Sequence, residues 1–253
     1  MMSENKIQAN WFAEWFDSPY YHVLYQHRSD DEAQAFIQEL LQFLNLPKAQ
    51  RILDVACGKG RHAKAMCDAG HDVCGIDLSP DSIRQANTLA NDHLEFFVHD
   101  MRQLFRVNYY QVVTNLFTSF GYFNSVHDNT LAARAMARAV VPGGLLVVDF
   151  VNRIPACQHI EAHQHETIER EGIRFELHRS YNAQHYIKQI DVYDGEKHQT
   201  FFERVSCFTP EQLSAYFIQE GLQVLHCLGN YRCEPFEANS SPRMIFIFQR
   251  PHD

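Results

Sequence analysis

Apolar positions along this chain follow two rhythms, and the changes between them outline the fold. After an aromatic stretch over residues 10–28, Ala33, Phe36, Ile37, Leu40, Leu41 and Leu44 recur at helical spacing. Residues three and four apart share one helix face, so this spacing predicts an amphipathic helix. Ser29-Asp30-Asp31-Glu32 forms a capping box at its start, and Pro47 stops it. Short apolar runs then alternate with helical patterns. Residues 52–55, 73–77, 95–98, 110–117 and 145–151 read as strands. Helical spacing intervenes at Ala63, Ala65, Met66 and Ala69, at Ile83, Ala86, Leu89 and Ala90, and at Leu131, Ala135, Met136, Ala139 and Val140. Gly70 closes the first of these, Ser79-Pro80 opens the second, and Pro142-Gly143-Gly144 ends the third. Strands alternating with helices predict a parallel sheet covered on both faces.

The rhythm changes over residues 167–207, where segments such as Ile173-Arg174-Phe175-Glu176-Leu177-His178 alternate and Asp194-Gly195 reads as a hairpin turn. This predicts a small antiparallel meander inserted into the α/β pattern. Thr209-Pro210-Glu211-Gln212 is a second capping box, for a helix carrying Leu213, Tyr216 and Phe217 up to Gly221. Strands at 222–228 and 244–248 finish the chain. The 253 residues suit one domain, with a helical, aromatic cap over 1–47 and the insertion over 167–207.

Composition narrows the partners. The formal charge is −9 and Lys and Arg do not cluster, which disfavours nucleic acid. No run reaches the ~18 apolar residues of a membrane span, and the N-terminus has no apolar signal region. Seven cysteines without a C-x-x-C pair imply reduced thiols and a cytoplasmic protein. Among fifteen histidines the densest group is His159, His163 and His165; no carboxylate–histidine motif frames it, so no metal is expected.

The chemistry concentrates in Arg51-Ile52-Leu53-Asp54-Val55-Ala56-Cys57-Gly58-Lys59-Gly60-Arg61-His62, an apolar strand ending in a glycine-spaced turn and a helix start. Such a turn lets backbone approach a ligand, and the helix start offers free N–H donors. Gly58 to Ala63 also satisfies the dinucleotide fingerprint, which leaves a nicotinamide-dependent oxidoreductase as an alternative. A carboxylate at Asp54 repels a pyrophosphate and welcomes a cationic amine. No Tyr-x-x-x-Lys proton donor accompanies the loop.

The D-x-x-x-G-x-G spacing of Asp54, Gly58 and Gly60 resembles motif I of class I S-adenosylmethionine (SAM) dependent methyltransferases. Pro142-Gly143-Gly144 and residues 115–123 resemble later landmarks of that family, the latter those of a small-molecule subgroup. The resemblance implies a Rossmann-like, seven-stranded sheet, mostly parallel with an antiparallel last strand, flanked by helices. It implies SAM as methyl donor, S-adenosylhomocysteine (SAH) as product and a small-molecule acceptor. By the same resemblance Asp54 lies near the methionine amino group, Ala56, Gly58 and Gly60 line the methionine and sugar, and Asp77 takes the ribose hydroxyls. Leu78 contacts adenine, Asp100 and Met101 read its ring, and Asn115 and Leu116 lie under the sulfonium. Phe117, Tyr122 and Tyr231 are candidates for the acceptor pocket.

Methyl transfer has no obligatory catalytic residue, so a non-enzymatic SAM-binding module is a further alternative. A hydroxyl acceptor benefits from a base, for which His22, His27, Tyr21 and Tyr25 are candidates. On a helix over 18–28, Tyr21 and Tyr25 share a face with Arg28, which suits a carboxylate. In the meander, Arg174, Arg179, Tyr181, His185 and Tyr186 are candidates for a pocket-facing surface.

Overall fold

The computed structural model describes residues 11–26 and 30–252. Its elements run α1 (Trp11–Phe16), α2 (Pro19–Leu24), α3 (Asp30–Leu44), β1 (Arg51–Val55), α4 (Arg61–Asp68), β2 (Asp72–Asp77), α5 (Pro80–Ala86), β3 (Leu94–Val98), β4 (Tyr110–Asn115), α6 (Val126–Ala139) and β5 (Val140–Val151). Then follow α7 (Arg153–Ala162), β6 (His165–Arg170), β7 (Ile173–Tyr181), β8 (His185–Asp194), β9 (Lys197–Ser206), α8 (Pro210–Ile218), β10 (Gln223–Leu228) and β11 (Arg243–Gln249).

Seven strands form one sheet in the order β10-β11-β5-β4-β1-β2-β3. Pairing is parallel from β5 through β3, and β11 runs antiparallel to both its neighbours. This is the seven-stranded, mostly parallel sheet with an antiparallel last strand that the resemblance implied. Alternation along the strands sorts the core. Leu53, Val55, Val113 and Val148 face α6, α8 and the second sheet; Ile52, Val112, Val147 and Ile245 face α3, α4 and α5. Each such side chain, fully buried, contributes ~1.5–3 kcal/mol. β1 sits between β4 and β2, so strand order reverses there. The carboxyl ends of β1 and β4 therefore bound the crevice where open α/β sheets bind ligands.

The insertion is a separate four-stranded antiparallel sheet, β6-β7-β8-β9. Its Phe175, Leu177, Ile190 and Val192 join the same core cluster as Trp11 and Trp15 of α1.

Several boundaries differ from those expected. β4 ends at Asn115 because Phe117 and Thr118 take positive φ. β5 begins at Val140, so Pro142-Gly143-Gly144 is an irregularity inside the strand, with a register shift between Tyr110 and Val112 of β4. The polar segment before the insertion is α7, whose last turn stacks His159 on His163 at 4.5 Å. Within the 18–28 segment expected as a helix, α2 is six residues long, capped by Ser18 and ended by Tyr25, while residues 27 and 28 lie outside the described residues. No described helix is long and apolar enough to cross a membrane.

Candidate active site

The turn after β1 carries three left-handed residues, Ala56 (φ 58°), Gly58 (φ 55°) and Gly60 (φ 83°). At Gly60 the conformation needs glycine and so does the space, since a Cβ there would lie 2.6 Å from the Phe96 ring. Ala56 holds a conformation that L-residues avoid, at a cost of roughly 1–2 kcal/mol. Hydrogen bonds to β2 hold the turn. Cys57 N–H donates to the Ile76 carbonyl at 3.0 Å, and Gly58 N–H donates to Asp77 Oδ2 at 2.8 Å.

Beside this turn lies a cavity of about 810 Å³, within the range of small-molecule sites. Ala56, Gly58, Lys59 and Arg61 line it from the turn, Asp77, Leu78 and Ser79 from the end of β2, and Asp100 and Met101 from the end of β3. Leu116 and Phe117 line it from the end of β4. Phe16, Tyr21, His22 and Tyr25 line it from α1, α2 and the end of α2, Tyr122 from the loop between β4 and α6, and Glu203 and Val205 from β9.

Asp77 is anchored there by backbone donors on both oxygens. Its Oδ1 accepts from Ser79 N–H at 2.9 Å while Oδ2 accepts from Gly58, so each oxygen keeps a further lone pair. Burial pushes this carboxyl above its usual range, although the backbone N–H groups of Ser79, Gly58 and, more weakly, Leu78 pull it back. Asp100 is differently committed. Arg102 grips both its oxygens, at 3.1 Å and 2.6 Å, and this outweighs the opposing effect of burial, so the carboxyl stays below its usual range.

Three expected cofactor residues lie behind the wall. Gly60 backs onto Phe96. Asn115 is fully buried and spends its amide on the Val55 carbonyl at 3.0 Å, joining β4 to β1. Asp54 is buried beneath the turn, its Oδ1 accepting from Thr114 Oγ1 at 2.9 Å. Its Oδ2 has no well-formed hydrogen bond, the Ala63 amide of α4 giving only weak support. Burial first, then the charge of Asp77, push the Asp54 carboxyl up to about 7.

The expected acceptor residues divide similarly. The Tyr21 and Tyr25 rings lie 5.0 Å apart on the wall. Tyr25 OH donates to Glu203 Oε1 at 2.6 Å and accepts from Lys188 Nζ at 2.7 Å. Tyr231 is off the wall, stacked behind Phe117 with ring centroids 6.3 Å apart. His27 and Arg28 lie outside the described residues. Arg174, Arg179, Tyr181, His185 and Tyr186 do not line the cavity. Arg179 pairs with Glu166 and Tyr181 with Glu161. Residues not foreseen are Arg61, whose guanidinium lies 4.6 Å from the Phe117 ring centroid, Glu203, and Asp17, whose Oδ1 accepts from Ser79 Oγ at 2.7 Å. His22 lies 3.5 Å from Asp81; burial and then the charge of Lys59 keep it below its ordinary value, hence neutral. Among the described residues no group of three or more His, Cys, Asp or Glu is placed to hold a metal ion.

Comparison with known proteins assigns this geometry. A sequence profile described as a methyltransferase domain matches residues 52–144, from β1 into β5. The dTDP-3-amino-3,6-dideoxy-alpha-D-glucopyranose N,N-dimethyltransferase of Streptomyces fradiae is 29% identical over 192 residues, 70% of this chain and 72% of that protein. The chain is an S-adenosylmethionine-dependent methyltransferase. A second relative, the dTDP-4-amino-2,3,4,6-tetradeoxy-D-glucose N,N-dimethyltransferase of Saccharopolyspora spinosa, is 31% identical over 131 residues. That match spans 51% of the methyltransferase described here and about half, 52%, of the relative. Its fold is shared by a crystal structure of a SAM-dependent methyltransferase from Clostridium acetobutylicum ATCC 824, with a TM-score of 0.75, 18% identity and coverage of 92% and 96% of the two chains. The nicotinamide alternative finds no support in these matches.

The residues of the methyltransferase fit SAM. Asp77 offers a free lone pair on each oxygen to a vicinal diol, Leu78 is an exposed apolar face, and Asp54 Oδ2 is a buried acceptor without a good donor. A carboxyl titrating at about 7 gives SAM binding a pH signature. A cationic ligand group nearby favours the ionised form, so binding expels a proton from any Asp54 still protonated. SAM affinity is therefore expected to rise from about pH 6 to about pH 8 and calorimetric heats to vary with buffer ionisation enthalpy. Asp54→Asn is expected to abolish both effects; unchanged buffer dependence in that variant assigns the proton to another group.

Proposed function

We propose that this methyltransferase moves the methyl group of SAM onto an amino nitrogen of a small, sugar-sized acceptor by in-line displacement. One observation carries the reading. The cavity lined by Asp77 and Leu78 is also lined by Phe117, Tyr21, Tyr25 and Glu203, so donor and acceptor share one enclosure. Bound SAM supplies a methyl group activated by its sulfonium.

The protein's contribution is alignment and exclusion of water, and orientation alone supplies ~7–11 kcal/mol in well-placed reactants. Asp77 and Leu78 fix the nucleoside, and the aromatic wall from α1 and α2 shields the reacting end. A neutral amine attacks with its own lone pair and needs no strong base. This agrees with a wall on which His22 is neutral and Glu203 is already hydrogen-bonded. Choice of nitrogen over oxygen is supported by the two relatives, both N,N-dimethyltransferases. The binding-module alternative requires a blocked acceptor position, whereas this cavity continues beyond the turn to β9.

The test is incubation with SAM and dTDP-linked 3-amino or 4-amino deoxysugars, with mass spectrometry of the sugar and quantification of SAH. Singly and doubly methylated amine with matching SAH is the expected result. Methylation of hydroxyl analogues with none of the amines would overturn the choice of nitrogen.

A further inference from the structure

Phe117 and Thr118, just after β4, have φ values of 62° and 60°. Neither is glycine, and a β-branched or bulky side chain rarely occupies this region. Two adjacent residues held this way require the surroundings to over-determine them, and such strain gathers at functional sites.

The surroundings do so through Asp149 of β5, which is fully buried. Phe117 N–H donates to Asp149 Oδ2 at 2.8 Å, and Thr118 N–H donates to the Asp149 carbonyl at 3.1 Å. Arg243, at the start of β11, donates from Nε to Asp149 Oδ1 and from Nη2 to Thr118 Oγ1, both at 2.8 Å. Tyr231 OH donates to Asp149 Oδ2 at 3.1 Å, and its ring stacks on Phe117 at an interplanar angle of 17°. Burial and the Asp149 charge push the Tyr231 phenol up, so it stays a neutral donor. Of these groups only Phe117 lines the cavity, where its ring meets the Arg61 guanidinium.

A buried ion pair is weak evidence for stability, because apolar residues of similar volume serve that purpose as well. This pair does something an apolar pair cannot. It presents directed acceptors and donors to both residues of a left-handed turn. We propose that Asp149 and Arg243 are a positioning pair for methyl transfer, holding the Phe117–Thr118 turn so that the Phe117 ring forms the cavity wall, with Tyr231 as its backstop. The inference rests on the methyltransferase assignment and not on the nature of the acceptor.

Two variants test it. Arg243→Lys keeps the charge but cannot hold Asp149 and Thr118 through two rigidly spaced nitrogens. Asp149→Asn with Arg243→Met removes both charges together, leaving neither buried alone. Hydrogen-exchange mass spectrometry follows residues 116–119, calorimetry follows SAH, and turnover is read on whichever acceptor the preceding assay identifies.

In either variant that folds, exchange at 116–119 is expected to rise at least about tenfold while β1 and β2 keep their protection. SAH affinity is expected to stay within about threefold, and kcat to fall about 10–100-fold, as for a misplaced reacting group. Adding Thr118→Gly, which adopts positive φ freely, is expected to recover part of the lost kcat. Unchanged exchange at 116–119 overturns the proposal whether or not an acceptor is in hand. So does an equal loss of SAH affinity and kcat, or a kcat that Thr118→Gly does not improve.

Discussion

Asp77→Ala is expected to weaken SAM and SAH binding by on the order of 10²–10⁴ while leaving the fold intact. The carboxylate has one lone pair to spare on each oxygen at the cavity wall, enough for two hydrogen bonds to a ribose diol. Hydrogen bonds to a charged group contribute ~1.5–3 kcal/mol each, and ~1.4 kcal/mol is a tenfold change in affinity. The same side chain receives the N–H groups of Gly58 and Ser79, so its loss also frees the turn after β1. Asp77→Asn separates the two contributions, because its single carbonyl oxygen can satisfy one partner at most in the original manner. Calorimetry of both variants, with circular dichroism to check the fold, decides. An affinity within about threefold of the parent for Asp77→Ala would assign the ribose to other residues.

Why Asp77 was legible in the sequence, while other parts of the site were not, follows from the range of the interactions involved. A glycine-spaced turn between a strand and a helix is local, and so is an acid at the end of the next strand. The positions of Gly58 and Asp77 on the cavity wall follow from short-range rules and the parallel pairing of β1 with β2. Asp54 is equally local, yet which way its carboxylate faces depends on Thr114, sixty residues away on β4. Asn115 is drawn inward by the Val55 carbonyl in the same way. Tyr231 belongs to a loop whose placement depends on Asp149 and Phe117, so its sequence neighbours give no sign that it stands behind the wall.

The insertion teaches the same lesson about faces. Alternation was legible, but not which face turns inward. Phe175 and Leu177 take the core side of β7, which turns Arg174 outward, while Arg179 and Tyr181 share that side but pair near α7. On β9 the side that packs against Trp15 carries Phe201, so Glu203 and Val205 share it by period-two spacing. A glutamate at an apolar-face position is a readable anomaly once one contact fixes the face. It marks the charged residue that the alternating pattern alone left unassigned.

That glutamate carries the second large expectation. Glu203 Oε1 accepts from Trp15 Nε1 at 2.8 Å and from Tyr25 OH at 2.6 Å, and Oε2 accepts from Lys188 Nζ at 2.7 Å. It thereby ties α1 and the end of α2 to the inserted sheet at the cavity wall. Removing one partner of a buried pair costs about 3–5 kcal/mol, since the other charge is left without compensation. The Lys188 and Glu203 side chains retain 23% and 16% exposure, which points to the lower end. At about 2–4 °C per kcal/mol for a chain of this size, Glu203→Ala is expected to lower Tm by roughly 6–12 °C. Glu203→Leu combined with Lys188→Met is expected to recover most of that loss, because no charge remains buried alone.

The pH dependence follows from the sign of the shift at Glu203. Burial raises its pKa, but the Lys188 charge and the three hydrogen bonds outweigh this and leave it below the usual range. The stabilisation is thus fully present above the unfolded value of ~4.3 and is lost as pH falls through the lower folded value. The Tm difference between parent and Glu203→Ala is expected to hold from neutral pH to about pH 5 and to shrink below about pH 4. A difference that is constant with pH, or a double variant no more stable than the single one, would assign Glu203 to packing and leave α1 and α2 held by their aromatic contacts alone.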